Sequence, residues 1–248
     1  MNKTIKSTRQ LPLAFHYQAS FQPEDLVITQ SNRAASTLIH SWPRWALPIA
    51  ILLGPEGAGK SHFSMVWKQN TQALQVDASN LAQDLEKIVG AVEVGQPVLL
   101  EDVDQYLSAE TALFHLMNTI KQAAINCPSA SLLMTARSLP SQWNVQLKDL
   151  KSRLNSATLV TLDPPDDHLL TAVAFKLFAD RQIFIKPSLV NYLISHSQRS
   201  LSMLGQVIEQ ADMLALQKKS KITRQLIAEI LEGQSRESYM HTEKIFKK

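Results

Sequence analysis

Short apolar runs recur along the first part of the chain. Five of them are predicted strands, and they cover residues 48–53, 74–77, 97–100, 130–135 and 157–162. The first run is apolar throughout and stops at Gly54-Pro55, which is typical of a strand buried on both faces of a sheet.

Helical apolar spacing fills the intervals between these runs. The spacing predicts helices over residues 31–45, 62–69, 81–89 and 109–126. Ser31 and Asn80 are the expected N-caps of the first and third of these helices. Strands that alternate with helices predict an α/β fold, with a parallel five-stranded sheet flanked by helices.

The pattern changes after Asp163-Pro164-Pro165, where only helical periodicity remains. It predicts helices over residues 167–180, 187–195, 200–217 and 223–232, with Pro187 in a first helical turn. We predict an α/β domain over 21–163 and a small all-helical lid domain over 164–232. The polar segments 1–20 and 233–248 are expected to be a flexible arm and a disordered tail.

Bulk composition narrows the class of protein only modestly. Of the 248 residues, 45% are hydrophobic and 19% are charged, as in ordinary globular proteins. The net charge of +3 permits contact with nucleic acid without indicating it, and the basic runs near the end of the chain read as solvated. The single Cys127 excludes an intrachain disulfide. With neither a long apolar span nor a signal peptide in view, we expect a cytoplasmic protein with no membrane contact.

The most specific motif follows the first apolar run. It reads Gly54-Pro55-Glu56-Gly57-Ala58-Gly59-Lys60-Ser61, which matches G-x-x-x-x-G-K-[ST] at every fixed position. In such a P-loop the backbone N–H groups surround phosphate oxygens, the lysine reaches the outer phosphates and the Ser61 hydroxyl ligates Mg²⁺. We expect all eight residues to bind ATP or ADP. The alternative is a glycine-rich turn at a strand end.

A P-loop needs acids at the end of a neighbouring strand to hold Mg²⁺ and polarise water. Glu101 and Asp102 directly follow the run 97–100 and are the expected metal and catalytic acids, together with Ser61 as a metal ligand. Acidic residues often follow short apolar runs, so Glu101 and Asp102 indicate a metal site only because the same chain contains the P-loop with Lys60. Asp104 is expected to be a solvated loop carboxylate.

The P-loop and four further segments resemble the DnaA-related branch of AAA+ proteins, which includes the bacterial initiator DnaA and the Hda-type regulators. The run from Leu52 to Phe63, with His62 after the lysine and serine, is similar to the P-loop of that branch. The other four segments are Ser31-Asn32-Arg33-Ala34-Ala35, Thr135-Ala136-Arg137-Ser138-Leu139-Pro140, Leu150-Lys151-Ser152-Arg153-Leu154 and Arg199-Ser200-Leu201. They resemble, in order, the segment leading to the nucleotide, the sensor-1 turn, the arginine-finger box and the start of the sensor-2 helix.

The resemblance implies an AAA+ P-loop NTPase fold and roles for three more residues. His62 and Arg199 would join the nucleotide site, and Arg153 would be an arginine finger that acts in trans on a neighbour's nucleotide. Taken alone, Arg153 would more often be a surface arginine in an ion pair, and the alternative for Arg199 is a surface residue at a helix start. Two departures, Glu101 at the first acid and Ala136 before Arg137, predict weak hydrolysis of the chain's own ATP.

The arm contains a second resemblance. Gln10-Leu11-Pro12-Leu13-Ala14-Phe15 is similar to the peptides by which replication proteins bind the sliding clamp. In that interpretation Leu11, Leu13 and Phe15 are apolar anchors, and the Gln10 amide sets the register. The alternative is an apolar arm packed on its own domain. Because the chain ends soon after the last helix, we expect no helix-turn-helix module and no sequence-specific DNA binding.

These resemblances lead to three hypotheses about function. The first is an Hda-like negative regulator of replication initiation, which binds the DNA polymerase III sliding clamp (the β subunit) and stimulates hydrolysis of DnaA-bound ATP through Arg153. The second is an autonomous AAA+ ATPase, such as a helicase loader or a DNA-remodelling factor. The third is a scaffold that binds nucleotide only structurally. The preference for ADP or ATP and the formation of homo-oligomers stay open.

Overall fold

A computed structural model describes residues 26–234 of the chain. Within them, five strands form one sheet in the order β2-β3-β4-β1-β5, and every neighbouring pair is parallel. The strands are β1 (Ile49–Leu53), β2 (Leu74–Val76), β3 (Val98–Leu100), β4 (Leu132–Ala136) and β5 (Thr158–Thr161). The expected α/β class and the parallel five-stranded sheet are confirmed.

Nine helices accompany these strands within the described residues. They are α1 (Arg33–Ser41), α2 (Lys60–Thr71), α3 (Leu85–Glu93), α4 (Glu110–Asn126), α5 (Lys148–Asn155), α6 (Asp167–Asp180), α7 (Pro187–His196), α8 (Leu201–Lys218) and α9 (224–234). Pro187 occupies the first turn of α7, as expected. Sequence periodicity did not predict α5.

Both predicted N-caps are wrong. Asn32, and not Ser31, precedes α1, and the Asn32 side chain braces the incoming chain by accepting from the Thr29 N–H at 2.8 Å and donating to the Val27 carbonyl at 2.8 Å. Asn80 ends a short 3-10 turn, where its backbone carbonyl accepts the N–H groups of two later residues. The third helix therefore starts at Leu85 instead of residue 81.

The sheet separates two apolar clusters. Successive strand residues point to opposite faces, so Ile49, Ile51 and Leu53 of β1 join one cluster, whereas Ala50 and Leu52 join the other. All five residues of β1 are buried. Because every strand is parallel, the carboxyl ends of β1, β3 and β4 meet at the same edge of the sheet, which is where ligands bind in open α/β sheets.

The chain divides into two compact units. Among described residues, one unit comprises residues 26–173 together with Arg199–Met203 and contains the whole sheet. The other comprises residues 174–198 and 204–234 and contains helices only. The chain thus leaves the α/β unit inside α6, returns to it for five residues, and leaves again inside α8.

Candidate functional site

The P-loop lies between β1 and α2 at the carboxyl edge of the sheet. Gly57 and Gly59 have φ angles of +74° and +102°, a region that residues with a Cβ rarely adopt. Gly59 immediately precedes α2, whose first residue is Lys60. The two glycines therefore turn the loop around the start of the helix, as the motif requires.

Lys60 is buried under this loop. Its ammonium donates to the Gly54 carbonyl at 2.7 Å and to the Pro55 carbonyl at 3.0 Å. Burial lowers the pKa of Lys60 below its ordinary value, and the nearby Asp102 carboxylate opposes that shift. Lys60 is thus a positive charge held at the concave side of the loop and only partly compensated.

Backbone N–H groups at the loop form an anion cradle. Within residues 26–234, the N–H groups of Gly57, Gly59, Lys60 and Ser61 meet no acceptor, whereas the His62 N–H donates to the Gly59 carbonyl at 3.0 Å. Unpaired N–H groups at a helix N-terminus, with a lysine among them, fit phosphate oxygens. The donors present here suit a polyphosphate.

The two predicted acids have different surroundings. Glu101 accepts from the Ser64 hydroxyl at 2.9 Å and from the Gln75 amide at 3.1 Å, so both of its oxygens have a protein partner. Asp102 has a left-handed φ of +48°, and its N–H donates to the Thr135 hydroxyl at 2.8 Å. That backbone geometry leaves the Asp102 carboxylate at the end of β3, facing the side of the loop where Lys60 lies.

A cavity of about 540 Å³ opens beside these acids, on the side of the edge strand β2. Its lining comprises Lys68, Gln75, Val76, Asp77, Ala78, Glu101, Asp102 and Tyr106. No P-loop residue lines it. This cavity is therefore a neighbour of the phosphate cradle and not the cradle itself.

Asp104 and Arg137 complete the site, although the sequence predicted no functional role for Asp104 and named Arg137 only as part of the turn that resembles sensor 1. Asp104 Oδ2 accepts from the N–H groups of Arg137 and Ser138 at 2.9 and 3.2 Å and from the Ser138 hydroxyl at 3.2 Å. The expectation of a solvated loop carboxylate is wrong, because Asp104 holds the turn after β4. The Arg137 guanidinium pairs with Glu56 of the P-loop at 2.8 Å.

The start of α8 lies against the P-loop, but Arg199 does not point into it. The Leu201 N–H donates to the Gly57 carbonyl at 2.8 Å. Arg199 itself pairs with Asp167 at 2.9 Å, and both side chains are largely exposed. The structure thus brings this segment to the loop through backbone contact.

Arg153 lies on α5, which packs against α4, and its side chain is partly buried. No acidic side chain of residues 26–234 pairs with it, so the interpretation as an ion-paired surface arginine finds no partner there. It lies near Lys121, whose pKa is lowered first by burial and second by the charge of Arg153. Gln10, Leu11, Leu13 and Phe15 fall outside the described residues.

The sheet order, the loop between β1 and α2, and the acids after β3 define the class: this is the AAA+ fold. Domain III of the replication initiation protein DnaA from Thermotoga maritima superposes with a TM-score of 0.70 at 16% identity, covering 86% of this chain and 96% of that one. AMPPCP-bound DnaA from Aquifex aeolicus gives 0.64 at 17% identity, covering 91% and 71%. The RuvB Holliday junction branch migration motor of T. maritima gives 0.63 at 14% identity, covering 83% and 69%.

Two sequence relatives accompany these structures. An uncharacterised protein of Haemophilus influenzae is 25% identical over 237 residues, which is 90% of this chain and 98% of that protein. The chromosomal replication initiator DnaA of Cutibacterium acnes is 23% identical over 203 residues, which is 73% of this chain but only 40% of the initiator. No family model matches the chain.

None of the helices within residues 26–234 combines the length and the apolar composition needed to cross a bilayer.

Proposed function

We propose that this protein binds ATP or ADP at the P-loop. The observation that carries the proposal is the cradle of unpaired N–H groups around Lys60, set between a central parallel strand and the helix that follows it. A structurally similar DnaA holds the ATP analogue AMPPCP. Within this proposal the loop residues Gly54 to Ser61 and His62 surround the phosphates. Arg199 leaves its ion pair with Asp167 and binds the phosphates instead.

Ser61, Glu101 and Asp102 would hold the Mg²⁺ that accompanies the nucleotide. Ser61 is exposed at the start of α2, and Asp102 carries a carboxylate that accepts no hydrogen bond from residues 26–234. Within the same range, no set of three or more His, Cys, Asp or Glu side chains is arranged to hold a metal. The ion would therefore take most of its ligands from phosphate and water, as Mg²⁺ commonly does. When bound, it neutralises phosphate charge.

We further propose that the protein regulates replication initiation in the manner of Hda, as an activator of hydrolysis in a partner's site. Arg153 is a guanidinium without an acidic partner among described residues, which leaves it available to a neighbour's nucleotide, where an arginine finger stabilises charge in the transition state. The relatedness to DnaA of C. acnes and the motif order support DnaA as that partner. The motif from Gln10 to Phe15 would bind the DNA-loaded sliding clamp.

Weak hydrolysis of the chain's own ATP fits the geometry of the acids. Both Glu101 oxygens are engaged by Ser64 and Gln75, so this acid is poorly placed to activate water. Ala136, buried at the end of β4, offers no polar group to order that water. The chemistry would therefore take place in the partner's site, where Arg153 supplies positive charge to the transition state.

Nucleotide binding is tested by titrating the purified protein with fluorescent ATP and ADP analogues in the presence of Mg²⁺. We expect Lys60→Ala to weaken binding at least about tenfold, since a charge-assisted contact to phosphate is lost. Lys87→Ala, an exposed lysine on α3, is the matched control and should bind like the wild type. Equal binding by Lys60→Ala and the wild type would contradict the proposed site.

The regulatory role is tested by following hydrolysis of ATP pre-bound to a DnaA partner in the presence of DNA-loaded clamp. The wild type should accelerate turnover, whereas Arg153→Ala and Gln10→Ala should not. Lys151→Ala, an exposed residue two positions before Arg153 on α5, controls for damage to the helix. Brisk hydrolysis of the protein's own ATP, with DnaA-bound ATP left untouched, would point instead to an autonomous ATPase.

A further inference from the structure

Arg137 connects three segments that meet at the carboxyl edge of the sheet. Its Nη1 donates to Glu56 Oε2 in the P-loop at 2.8 Å, and its Nε lies 3.9 Å from Asp102 Oδ1 after β3. With its amide oxygen turned toward the guanidinium, Gln105 accepts from Arg137 Nε at 2.9 Å and from Nη2 at 3.2 Å. One side chain therefore ties the phosphate loop to the segment that follows β3.

The backbone of Arg137 is held independently of these side-chain contacts. Asp104 accepts the Arg137 and Ser138 N–H groups, and the Trp143 indole N–H donates to the Ser138 carbonyl at 3.0 Å. The guanidinium can consequently change partners while the turn that carries it stays in place. The backbone of Arg137 is therefore fixed, whereas its guanidinium is free to bind a different anion.

The charges around the P-loop indicate why Arg137 would change partners when a phosphate binds. The charged side chains that act on Lys60 are Arg137, Glu56, Asp102 and Asp104, so together with Lys60 they carry a net charge of −1. Glu101, which pairs with Ser64 and Gln75, adds one more negative charge at the same edge of the sheet. A polyphosphate adds further negative charge at the same place. Arg137 is one of the cations that could offset it, beside Lys60, and in this structure its closest acidic partner is Glu56 of the loop itself.

We propose that Glu56 and Arg137 form a phosphate-responsive latch, in which the terminal phosphate of a nucleoside triphosphate takes Arg137 from Glu56. The proposal rests on nucleotide binding at the P-loop. A guanidinium binds phosphate and carboxylate through the same planar fork, so the two compete for one group. A diphosphate lacks the outermost group and leaves the pair with Glu56 closed. The pair thus determines how strongly the site distinguishes triphosphate from diphosphate.

The latch can be altered without unfolding the protein. The side chains of Arg137 and Glu56 are 43% and 72% exposed, and ion pairs this exposed contribute little to stability. Neither residue belongs to the apolar clusters. Neutral variants at both positions are therefore expected to fold.

A double-mutant cycle on nucleotide affinity tests the latch in the full-length protein. Glu56→Gln, Arg137→Gln and the double variant are titrated with Mg²⁺-ATP and Mg²⁺-ADP by isothermal calorimetry. Because Glu56 competes for Arg137, we expect Glu56→Gln to tighten ATP binding about threefold. Arg137→Gln should weaken it about tenfold, since a charge-assisted contact is lost. In the Arg137→Gln background, Glu56→Gln should change ATP affinity hardly at all.

The ADP titrations and two further variants complete the design. ADP affinity should change much less than ATP affinity in every variant. Glu93→Gln removes an exposed carboxylate at the end of α3 and is the control for net charge. If Arg137→Gln abolishes measurable ATP binding, Arg137→Lys takes its place in the cycle, since it keeps the charge and loses the fork.

Three outcomes would overturn the latch. Glu56→Gln might act by charge alone, in which case it would tighten ATP binding equally with and without Arg137. Equal effects on ATP and ADP would show that the terminal phosphate is not what competes with Glu56. A folded wild type that binds neither nucleotide would instead refute the proposed function and remove the basis of the latch with it.

Discussion

Lys60 has an environment that differs strongly from that of a free lysine side chain. Its ammonium is buried beneath the P-loop, where two carbonyl oxygens replace water. Burial of a charged amine opposes protonation, and the pKa of Lys60 is accordingly lowered from 10.5. A bound phosphate would place negative charge beside the buried ammonium and would therefore favour its protonated form.

The lowered pKa predicts a pH-dependent contribution to stability. Above the folded-state pKa and below 10.5, the unfolded chain holds the Lys60 proton more tightly than the folded chain, so the free energy of unfolding rises with pH across that window. Urea denaturation of the wild type and of Lys60→Met, compared from neutral pH upward, checks this. The wild type should gain stability relative to Lys60→Met as pH rises through the window. Lys87→Met, which alters an exposed lysine, is the control, and a pH-independent difference for Lys60→Met would contradict the prediction.

Single residues of the site were predictable only where a motif or a resemblance specifies them. Lys60 and its loop follow from the spacing of glycines that the chemistry requires. Asp104 and Arg137 act through hydrogen bonds between segments more than thirty residues apart in sequence. The local sequence does not distinguish a paired aspartate from an exposed one, because both have the same neighbours along the chain. Only position was a signal: Asp104 lies two residues after Asp102, and Arg137 directly follows a buried strand.

The P-loop and the first turn of α8 are in close contact at the site. A Cβ placed on Gly57 would overlap Ser200 Oγ and would lie 2.8 Å from Ser200 Cβ. The Leu201 N–H also binds the Gly57 carbonyl. Position 57 therefore requires glycine for two separate reasons, its positive φ and the closeness of Ser200.

Gly57→Ala is expected to destabilise the α/β unit by more than about 2 kcal/mol, because roughly 1–2 kcal/mol of left-handed strain adds to the clash. Ser200→Gly removes the clashing atoms but not the strain. The double variant Gly57→Ala, Ser200→Gly should therefore recover part of the loss in urea denaturation. Full recovery would show that the backbone strain at position 57 is negligible. No recovery would show that Ser200 can move away from the alanine Cβ without lowering the free energy of unfolding.

Strands were the elements that the sequence predicted best. The central strands β1, β3 and β4, whose residues are all buried, are recovered to within two residues at each end, and so are the partly buried edge strands β2 and β5. Helix starts were less predictable, since the Asn32 side chain binds the preceding backbone instead of capping α1, and Asn80 lies in a 3-10 turn where its backbone carbonyl accepts two later N–H groups. The short α5 has only Leu150 and Leu154 fully buried, which is too little periodicity to detect.

At the scale of the whole molecule, α8 is one continuous helix assigned to two units. Residues 199–203 group with the α/β unit and residues from 204 onward group with the helical unit. Gly205 follows this division directly, and a Cβ built there would meet nothing within 4 Å. Glycine is thus not required at this position by packing or by φ.

Gly205→Ala is expected to raise the free energy of unfolding by about 0.5–1 kcal/mol, because alanine loses less backbone entropy in a helix. Gly90→Ala in α3, where a Cβ also meets nothing, is the matched control within the α/β unit and should gain a similar amount. Thermal and urea unfolding of both variants measure this. A loss of stability in Gly205→Ala alone would show that α8 uses the flexibility of glycine at this point.

The return of the chain to the α/β unit has a consequence for anyone who would recombine this protein with a relative. Neither unit is a single uninterrupted segment, so no one peptide bond separates them. A chimera joined after residue 173 would take Leu201 from the donor, and the carbonyl of Gly57 would then depend on a foreign backbone for its hydrogen bond. Exchange of the helical unit therefore needs junctions after residues 173, 198 and 203, and the first and last of these lie inside α6 and α8. At both of those junctions the donor helix has to conserve helical phase, and a linker cannot substitute for it.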